Sequence, residues 1–354
     1  MVGRWAVGVK RDDVVRDGGA AVPEGGGEEF AALVRRHERE LRVHCYRMLG
    51  SIEEAEDVVQ ETFLRAWKNL DRFEGRSTVR AWLYRIATNA CLDVLGGRAR
   101  RVLPHDLAPP ADPETSGLPP RGEVPWLQPI PDRLLDAAEP DAVVVGRETI
   151  ELAFLAAIQH LPARQRAALI LRDVLGFPAR SAADVLETSV ASVNSALQRA
   201  RATMRDRLPP QRLNWTARPE LDAEEREVLR RYMDAVDRAD PAAMADLLAA
   251  EVRAMMPPYP AWFQGREAVL ATLATSWDPG SPHYVGALKA VPIGSNRQPA
   301  AALYVRPPGR SDHRPFALGV LTVEGDRITE MVAFHEPRLF PLFGLDDRPP
   351  AGHR

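Results

Sequence analysis

Two groups of side chains in this 354-residue chain are of the types that recognise a polyanion. Between Arg76 and Arg101 six arginines (Arg76, Arg80, Arg85, Arg98, Arg100, Arg101) stand against one acid, Asp93, with Trp82 and Asn89 among them. Guanidinium groups bind phosphates, and a carboxamide can pair with a base edge through two hydrogen bonds. The second group is Ser192, Asn194, Ser195, Gln198, Arg199 and Arg201. Small polar groups with Gln and Arg are the side chains that contact base edges and phosphates. Ahead of the arginines runs an acidic block, Glu53, Glu54, Glu56, Asp57 and Glu61, which suits a different, basic partner. A third group holds residue types used in acid–base chemistry: Tyr232, Asp234, Trp262, His283, Tyr284, Asp312, His313 and His335. Asp312 and His313 fall in a Pro- and Gly-rich turn, and neither a paired carboxylate nor a nucleophile–base set is complete. No catalytic residue is assigned; Tyr232, Trp262 and His335 are kept as candidate pocket residues.

These side chains need helices to align them. Phe30, Leu33, Val34, Leu41, Cys45 and Leu49 recur at helical spacing, and Ser51 with Glu54 has the spacing of a capping box. Val58, Phe63, Ala66, Trp67 and Leu70, then Val79, Trp82, Leu83, Ile86, Ala90 and Val94, mark two more helices with a turn near Glu74–Ser77. Residues 28–101 therefore read as an all-α domain behind a Gly-rich, disordered tail over 1–27. Residues 102–146 are rich in proline and acids, the composition of a linker. Within it W-L-Q-P-I-P-D at 126–132 is an apolar island, either a local turn cluster or a pin that docks the linker on a surface. Residues 147–208 form a second all-α unit, in which a short helix, a turn and a long helix capped by Thr188 or Ser189 follow the helix-turn-helix plan. The third unit, 221–345, begins with a helix pair over Leu221–Ala250 and continues as antiparallel strands of period two. That order makes it α+β.

The string A-E-D-V-V-Q-E-T-F-L-R-A-W, followed by F-E-G-R-S-T-V-R-A-W-L-Y-R-I-A-T-N-A-C-L-D, resembles region 2 of bacterial sigma-70-type initiation factors of the extracytoplasmic-function (ECF) group. L-P-A-R-Q-R-A-A-L-I-L-R-D with T-S-V-A-S-V-N-S-A-L-Q-R-A-R resembles their region 4. The resemblance implies a factor that binds core RNA polymerase and directs initiation by reading the −10 and −35 elements of promoter DNA. It assigns Asp57, Gln60, Glu61, Phe63 and Trp67 to the polymerase. It assigns Arg80, Arg85, Asn89, Asp93, Arg98, Arg100 and Arg101 to the −10 element, with Asn89 as base reader. Ser192, Asn194, Ser195, Gln198, Arg199 and Arg201 go to the −35 element. The chain departs from the family pattern at Ser181-Ala182, at Ala196, and at Glu187, where a turn glycine is usual. The third unit, with F-Q-G-R-E-A-V after its first strand, resembles a SnoaL-like domain, a cystatin-like cone of helices on a curved sheet. The implied role is regulatory: packing against the first two domains, with a small-molecule ligand or a protein regulator as effector.

Bulk properties bound these readings. An apolar content of 45% allows real cores, and a net charge of −3 shows that opposing blocks cancel. The two cysteines, Cys45 and Cys91, form no metal pattern and read as buried residues of a reducing cytoplasm. No cofactor, metal or membrane span is expected. Two alternatives remain at this stage: a ligand-sensing helix-turn-helix regulator that works without polymerase, and an isomerase- or cyclase-like enzyme with a DNA-binding appendage.

Overall fold

The computed structural model describes residues 26–73, 78–113, 119–136, 150–208 and 220–350. Of the tail expected over 1–27, residues 1–25 lie outside the described residues and 26–27 open the first helix; the turn at 74–77 also lies outside.

The first unit is a three-helix body, α1 (Gly26–Leu49), α2 (Ile52–Lys68) and α3 (Val79–Leu95). Short polar side chains start the second and third helices: Ser51 accepts from the Glu54 amide at 3.3 Å and Thr78 from the Ala81 amide at 3.1 Å. Leu41, Cys45, Ile52, Val59, Leu83 and Ala87 are buried between them. The second unit is α4 (Leu152–Gln159), α5 (Ala163–Leu169), α6 (Ala179–Val185) and α7 (Val190–Arg207). After α5 the chain makes one wider turn over Ile170–Val174 and stops at Gly176, whose φ of 68° needs no Cβ to be displaced. Ser189 caps α7 through the Ser192 amide at 3.1 Å.

The third unit opens with α8 (Ala223–Asp237), held by a reciprocal cap between Asp222 and Glu225, and a short α9 (Pro241–Ala245). The expected helix pair ends early: Leu248–Met255 is strand β1, because its apolar residues alternate across a sheet. Then come β2 (Trp262–Gln264), α10 (Arg266–Trp277), β3 (Ala287–Ser295), β4 (Gln298–Arg306), β5 (Arg314–Glu324) and β6 (Arg327–Phe334). Among the described residues they form one sheet in the order β2-β1-β6-β5-β4-β3. Not every neighbour is antiparallel, since β1 pairs with β6 in parallel.

The two faces of this sheet meet different partners. Its concave face carries Ala301, Leu303, Ala317 and Leu321 against Val228, Tyr232 and Val236 of α8. Its convex face carries Ala300, Ala302, Tyr304, Leu318, Val320, Val332 and Phe334. That second face belongs to the same apolar cluster as Leu127 and Ile130 of the linker, Leu152 and Leu155 of α4, and Leu41 and Leu49 of α1. Strand β4 is buried at eight of its nine residues, which is why A-A-A-L-Y-V shows no polar alternation. The described part of the linker is therefore a packed layer. Its apolar island docks on the chain itself.

His44 is fully buried in the first unit, with Nε2 2.9 Å from the Thr88 hydroxyl, and burial pushes its imidazole down to about 3. The unfolded chain takes up a proton there near pH 6.5, which the folded chain refuses. The fold therefore loses stability as pH falls below 6.5, and the loss levels off near the folded value. Between pH 6.5 and 5 this one group costs up to roughly 2 kcal/mol. Urea unfolding at several pH values is expected to show that slope, and His44→Gln to flatten it.

Candidate polymerase and promoter interface

Helix α2 turns its acidic stripe away from α1 and α3. Asp57, Gln60 and Glu61 are exposed there. Phe63 and Trp67 turn inward instead and meet the Phe30 ring at 6.4 and 4.9 Å. The exposed stripe also carries Leu64, 56% accessible, which the sequence resemblance does not single out. Its spacing holds the signal, because 57, 60, 61, 64 and 68 share one face of a helix.

On α3, Arg85 and Asp93 are exposed and Asn89 is partly so, an i, i+4, i+8 line on the solvent side. Arg80 lies off that line. Its Nε donates to Glu40 Oε2 at 2.8 Å, and its guanidinium sits 5.0 Å over the Tyr84 ring and 4.8 Å over Phe177 of the second unit. The arginines after α3 are also engaged. Arg98 and Arg101 both reach Glu54 Oε1, at 3.0 and 2.9 Å, and Arg101 donates to the Trp126 carbonyl at 2.8 Å. Arg100 meets His160 Nδ1 at 2.5 Å, while the other ring nitrogen of His160 lies 2.9 Å from Asp106. Burial lowers the His160 pKa, which favours the neutral ring that can sit among Arg100 and Arg207.

Helix α7 buries Val193, Leu197, Ala200 and Met204 and exposes Ser192, Asn194, Ser195, Gln198, Arg199 and Arg201. Arg201 is held in a fork by Asp173, at 2.8 and 2.7 Å, so its outer edge is fixed in direction. Arg172, Asn194, Leu197, Gln198, Arg201 and Arg205 line an open concavity of about 440 Å³. Arg172 and Arg205 enlarge the set taken from sequence. In the turn before α7, Glu187 adopts φ of 50°, where glycine is unstrained.

The third unit does not bring its candidates together. Tyr232 lies on the concave face, and its hydroxyl would be 3.5 Å from a Cβ at Gly319. That hydroxyl has no hydrogen-bond partner among the described residues, and burial alone pushes it up to about 12. His335 follows β6 between the rings of Phe316 and Tyr259, at 4.7 and 5.6 Å, and burial alone lowers it to about 4. Trp262 faces the other side of the sheet, where its Nε1 donates to the Ala108 carbonyl at 2.7 Å. Asp234 pairs with Arg238, His283 is exposed, and Asp312 and His313 sit in the β4–β5 loop. A buried imidazole with no charged neighbour is poorly placed to act as a general base.

Three family models match in this order: sigma-70 region 2 over residues 33–101, sigma-70 region 4 over 151–204, and a SnoaL-like domain over 229–331. The ECF RNA polymerase sigma factor SigG of Mycobacterium tuberculosis is 44% identical over 321 residues, which is 90% of this chain and 84% of that one. The chain belongs to the ECF RNA polymerase sigma factors. SigW of Bacillus subtilis, of the same group, is 32% identical over 190 residues, 53% of this chain and 92% of that one. In fold the chain is similar to the crystal structure of Mycobacterium tuberculosis SigJ, with a TM-score of 0.59 at 22% identity, covering 89% of this chain and 100% of that one. The chain is a sigma factor with a SnoaL-like appendage and not an enzyme; the polymerase-independent regulator and the isomerase-like enzyme are not favoured.

In this sigma factor the hairpin between β3 and β4 joins all the parts. Asn296 and Arg297 form its two-residue loop with φ of 54° and 56°, the left-handed pair that matches strand twist. Asn296 Nδ2 donates to the Tyr46 hydroxyl at 3.1 Å and to the Ile150 carbonyl at 2.8 Å. Its Oδ1 accepts from the Ile130 amide at 3.0 Å and from the Ser295 hydroxyl at 3.1 Å. Tyr46 in turn donates to the Gln128 carbonyl at 2.7 Å. Gln128 Oε1 accepts from the Ser51 hydroxyl at 2.7 Å and the Ile52 amide at 3.2 Å, and Nε2 donates to Glu53 at 3.1 Å. Gly50 gives way to this layer, because a Cβ there would meet Leu127 at 2.9 Å. Asn296→Ala strands the Ile130 amide, the Ile150 carbonyl and the Ser295 hydroxyl, and leaves Tyr46 with its bond to the Gln128 carbonyl alone. It is expected to lower unfolding stability by about 2–4 kcal/mol, with Asn296→Gly about 1 kcal/mol less harmful because it keeps the backbone unstrained. Denaturant unfolding of both variants checks this.

Proposed function

We propose that the sigma factor cycles between the closed chain described above and an open one, and that the SnoaL-like domain holds it closed. The observation that carries this is the seating of Phe177 on Arg80 and Tyr84, with α6 packed on α3 and α7 on α6. Two helix layers separate the reading helices by roughly 20 Å, at about 8–10 Å per layer. Elements centred near −10 and −35 lie about 25 steps apart, roughly 85 Å at ~3.4 Å per step. The closed chain cannot read both at once. Regions 2 and 4 must part, and the Asn296 junction opposes parting because it ties Tyr46 of region 2 to the Ile150 carbonyl ahead of α4.

Within that cycle Asp57, Gln60 and Glu61 contact the polymerase, and Phe63 and Trp67 support them from the core. Arg85, Asn89 and Asp93 serve the −10 element from the outset; Arg80, Arg98, Arg100 and Arg101 become available as the closed contacts break. Ser192, Asn194, Ser195, Gln198, Arg199 and Arg201 serve the −35 element. Tyr232 and His335 are the unpartnered polar groups that a ligand on the concave face would meet. The protein acts in the cytoplasm, where core polymerase and promoter DNA are.

Run-off transcription with core polymerase tests the cycle. The chain ending at Pro210 and the full chain with Asn296→Ala are both expected to initiate more often than the unaltered chain. No initiation by any of them, or less from both variants, would overturn it. Asn89→Ala is expected to cost about tenfold or more in transcript at unchanged polymerase affinity, and Gln198→Ala about 5- to 100-fold in −35 discrimination.

A further inference from the structure

A second polar seam joins the parts of the closed chain, at the linker turn Pro104–Asp106. Asp106 Oδ2 accepts from the Leu103 amide at 3.1 Å, which closes the turn, and its Oδ1 lies 2.9 Å from Nε2 of His160 at the end of α4. The other ring nitrogen, Nδ1, meets Arg100, which follows α3, at 2.5 Å. These two contacts fix where the ring proton sits. Arginine only donates, so Nδ1 accepts and carries no hydrogen; a carboxylate only accepts, so Nε2 carries it. The ring is therefore neutral, and both nitrogens are spent tying region 2 and the linker to region 4.

The charges around the ring make that neutrality matter. Three face it: Arg100, Asp106, and Arg207 of α7, which lies 3.1 Å from Nε2. The His160 side chain is 7% exposed and that of Asp106 5%, while both arginines are open to solvent. His105, in the same turn, stands 4.0 Å from Asp106 and turns Nδ1 to the Met255 sulfur of β1 at 3.0 Å, where Glu330 and Arg253 of the sheet bear on it. It ties the linker to the SnoaL-like domain and not region 2 to region 4. A proton on Nδ1 would give the Arg100 guanidinium a donor to face in place of an acceptor. It would also set three cations against one carboxylate. Burial first, then Arg100 and Arg207, lower the His160 imidazole against the pull of Asp106.

We propose that His160 is an acid-released latch: its neutral ring clasps Arg100 of region 2 and Asp106 of the linker and keeps regions 2 and 4 together, and a proton on Nδ1 expels Arg100 and lets them part. The latch rests on the closed-to-open cycle. Opening frees the ring from its cover and from Arg100, so the open chain binds a proton nearer the ordinary value of about 6.5 than the closed chain does. Below about pH 6.5 the open form takes up more protons, and acid shifts the equilibrium toward it by up to ~10-fold per pH unit for this group.

The test reads the distance between regions 2 and 4 in the full chain by fluorescence energy transfer, with dyes on Lys68→Cys and Asp184→Cys. Both positions are exposed, and the native Cys45 and Cys91 are buried. From pH 7.5 to 5.5 the open fraction is expected to rise about three- to tenfold in the unaltered chain and to stay flat in His160→Gln. That carboxamide offers Arg100 an acceptor and Asp106 a donor at any pH. His44 is present in both chains, so its effect on global stability is common to them. An equal rise in His160→Gln, or no rise in the unaltered chain, overturns the latch. Asn296→Ala, read at pH 7.5 with the same dyes, tests the cycle separately: a longer distance leaves the cycle standing whatever acid does, and an unchanged one overturns the cycle and the latch with it. Should His160→Gln fail to fold, Arg100→Gln takes its place. Its carboxamide oxygen accepts from a protonated Nδ1, so the acid response is expected to vanish there as well, and a response like that of the unaltered chain overturns the latch. Nitrogen-15 spectra of the imidazoles give a direct check: at pH 7.5 the His160 signal is expected to report a neutral ring protonated at Nε2, and a ring protonated at Nδ1 overturns the proposal.

Discussion

One buried carboxamide holds the molecule in its closed form. Asn296 uses every hydrogen bond its side chain can make, to the linker, to region 2, to the segment ahead of α4 and to its own hairpin. A buried polar group left unpaired costs more than the bond that satisfied it gained. Partial withdrawal of the hairpin therefore leaves several groups unsatisfied at once, and the junction gives way as a unit. The surrounding apolar layer supplies most of the adhesion. The polar network fixes the register in which that layer packs.

The apolar layer explains why the SnoaL-like domain remains docked. Its convex sheet face is as apolar as its concave one, and an isolated domain would leave it in water. Leu127, Ile130 and Ile150 cover it and would be bared by the same separation. Both surfaces belong to one chain, so the contact re-forms at the effective concentration set by the linker and not by the concentration of a partner. A domain tethered this way cannot diffuse off. Opening has to be driven by contacts made elsewhere on the chain.

In the proposed cycle Arg80 and the arginines after α3 serve two states. In the closed chain they hold Glu40, Glu54 and His160. Each of these contacts is exposed or half-buried, and an ion pair in that setting contributes little to stability, about 0–1 kcal/mol. Under the proposed cycle they exchange readily for phosphate. Arg166 is different: it is buried, with its guanidinium on the carbonyls of Gln159 and Leu161, on Gln159 Oε1 at 2.6 Å and on the Met48 carbonyl of α1, so it belongs to the packing between regions 2 and 4.

The amino-acid sequence by itself determined what is local. Helix spacing, caps at Ser51 and at Thr188 or Ser189, and the two long family strings located the polymerase-facing and promoter-facing helices, because a helix sets its own faces every 3.6 residues. The inward turn of Phe63 and Trp67 also follows from that spacing. Sequence did not decide where the linker island goes, that β1 runs parallel to β6, or that Trp262 and Tyr232 lie on opposite faces of one sheet. Those depend on contacts between residues far apart in the chain, such as Leu248 with Ile328 and Asn296 with Tyr46 and Ile130. Composition read 102–146 as a tether because proline and acid favour extended chain. Tertiary structure made the stretch around the apolar island a core layer, because an apolar sheet face needed cover and W-L-Q-P-I-P supplied it.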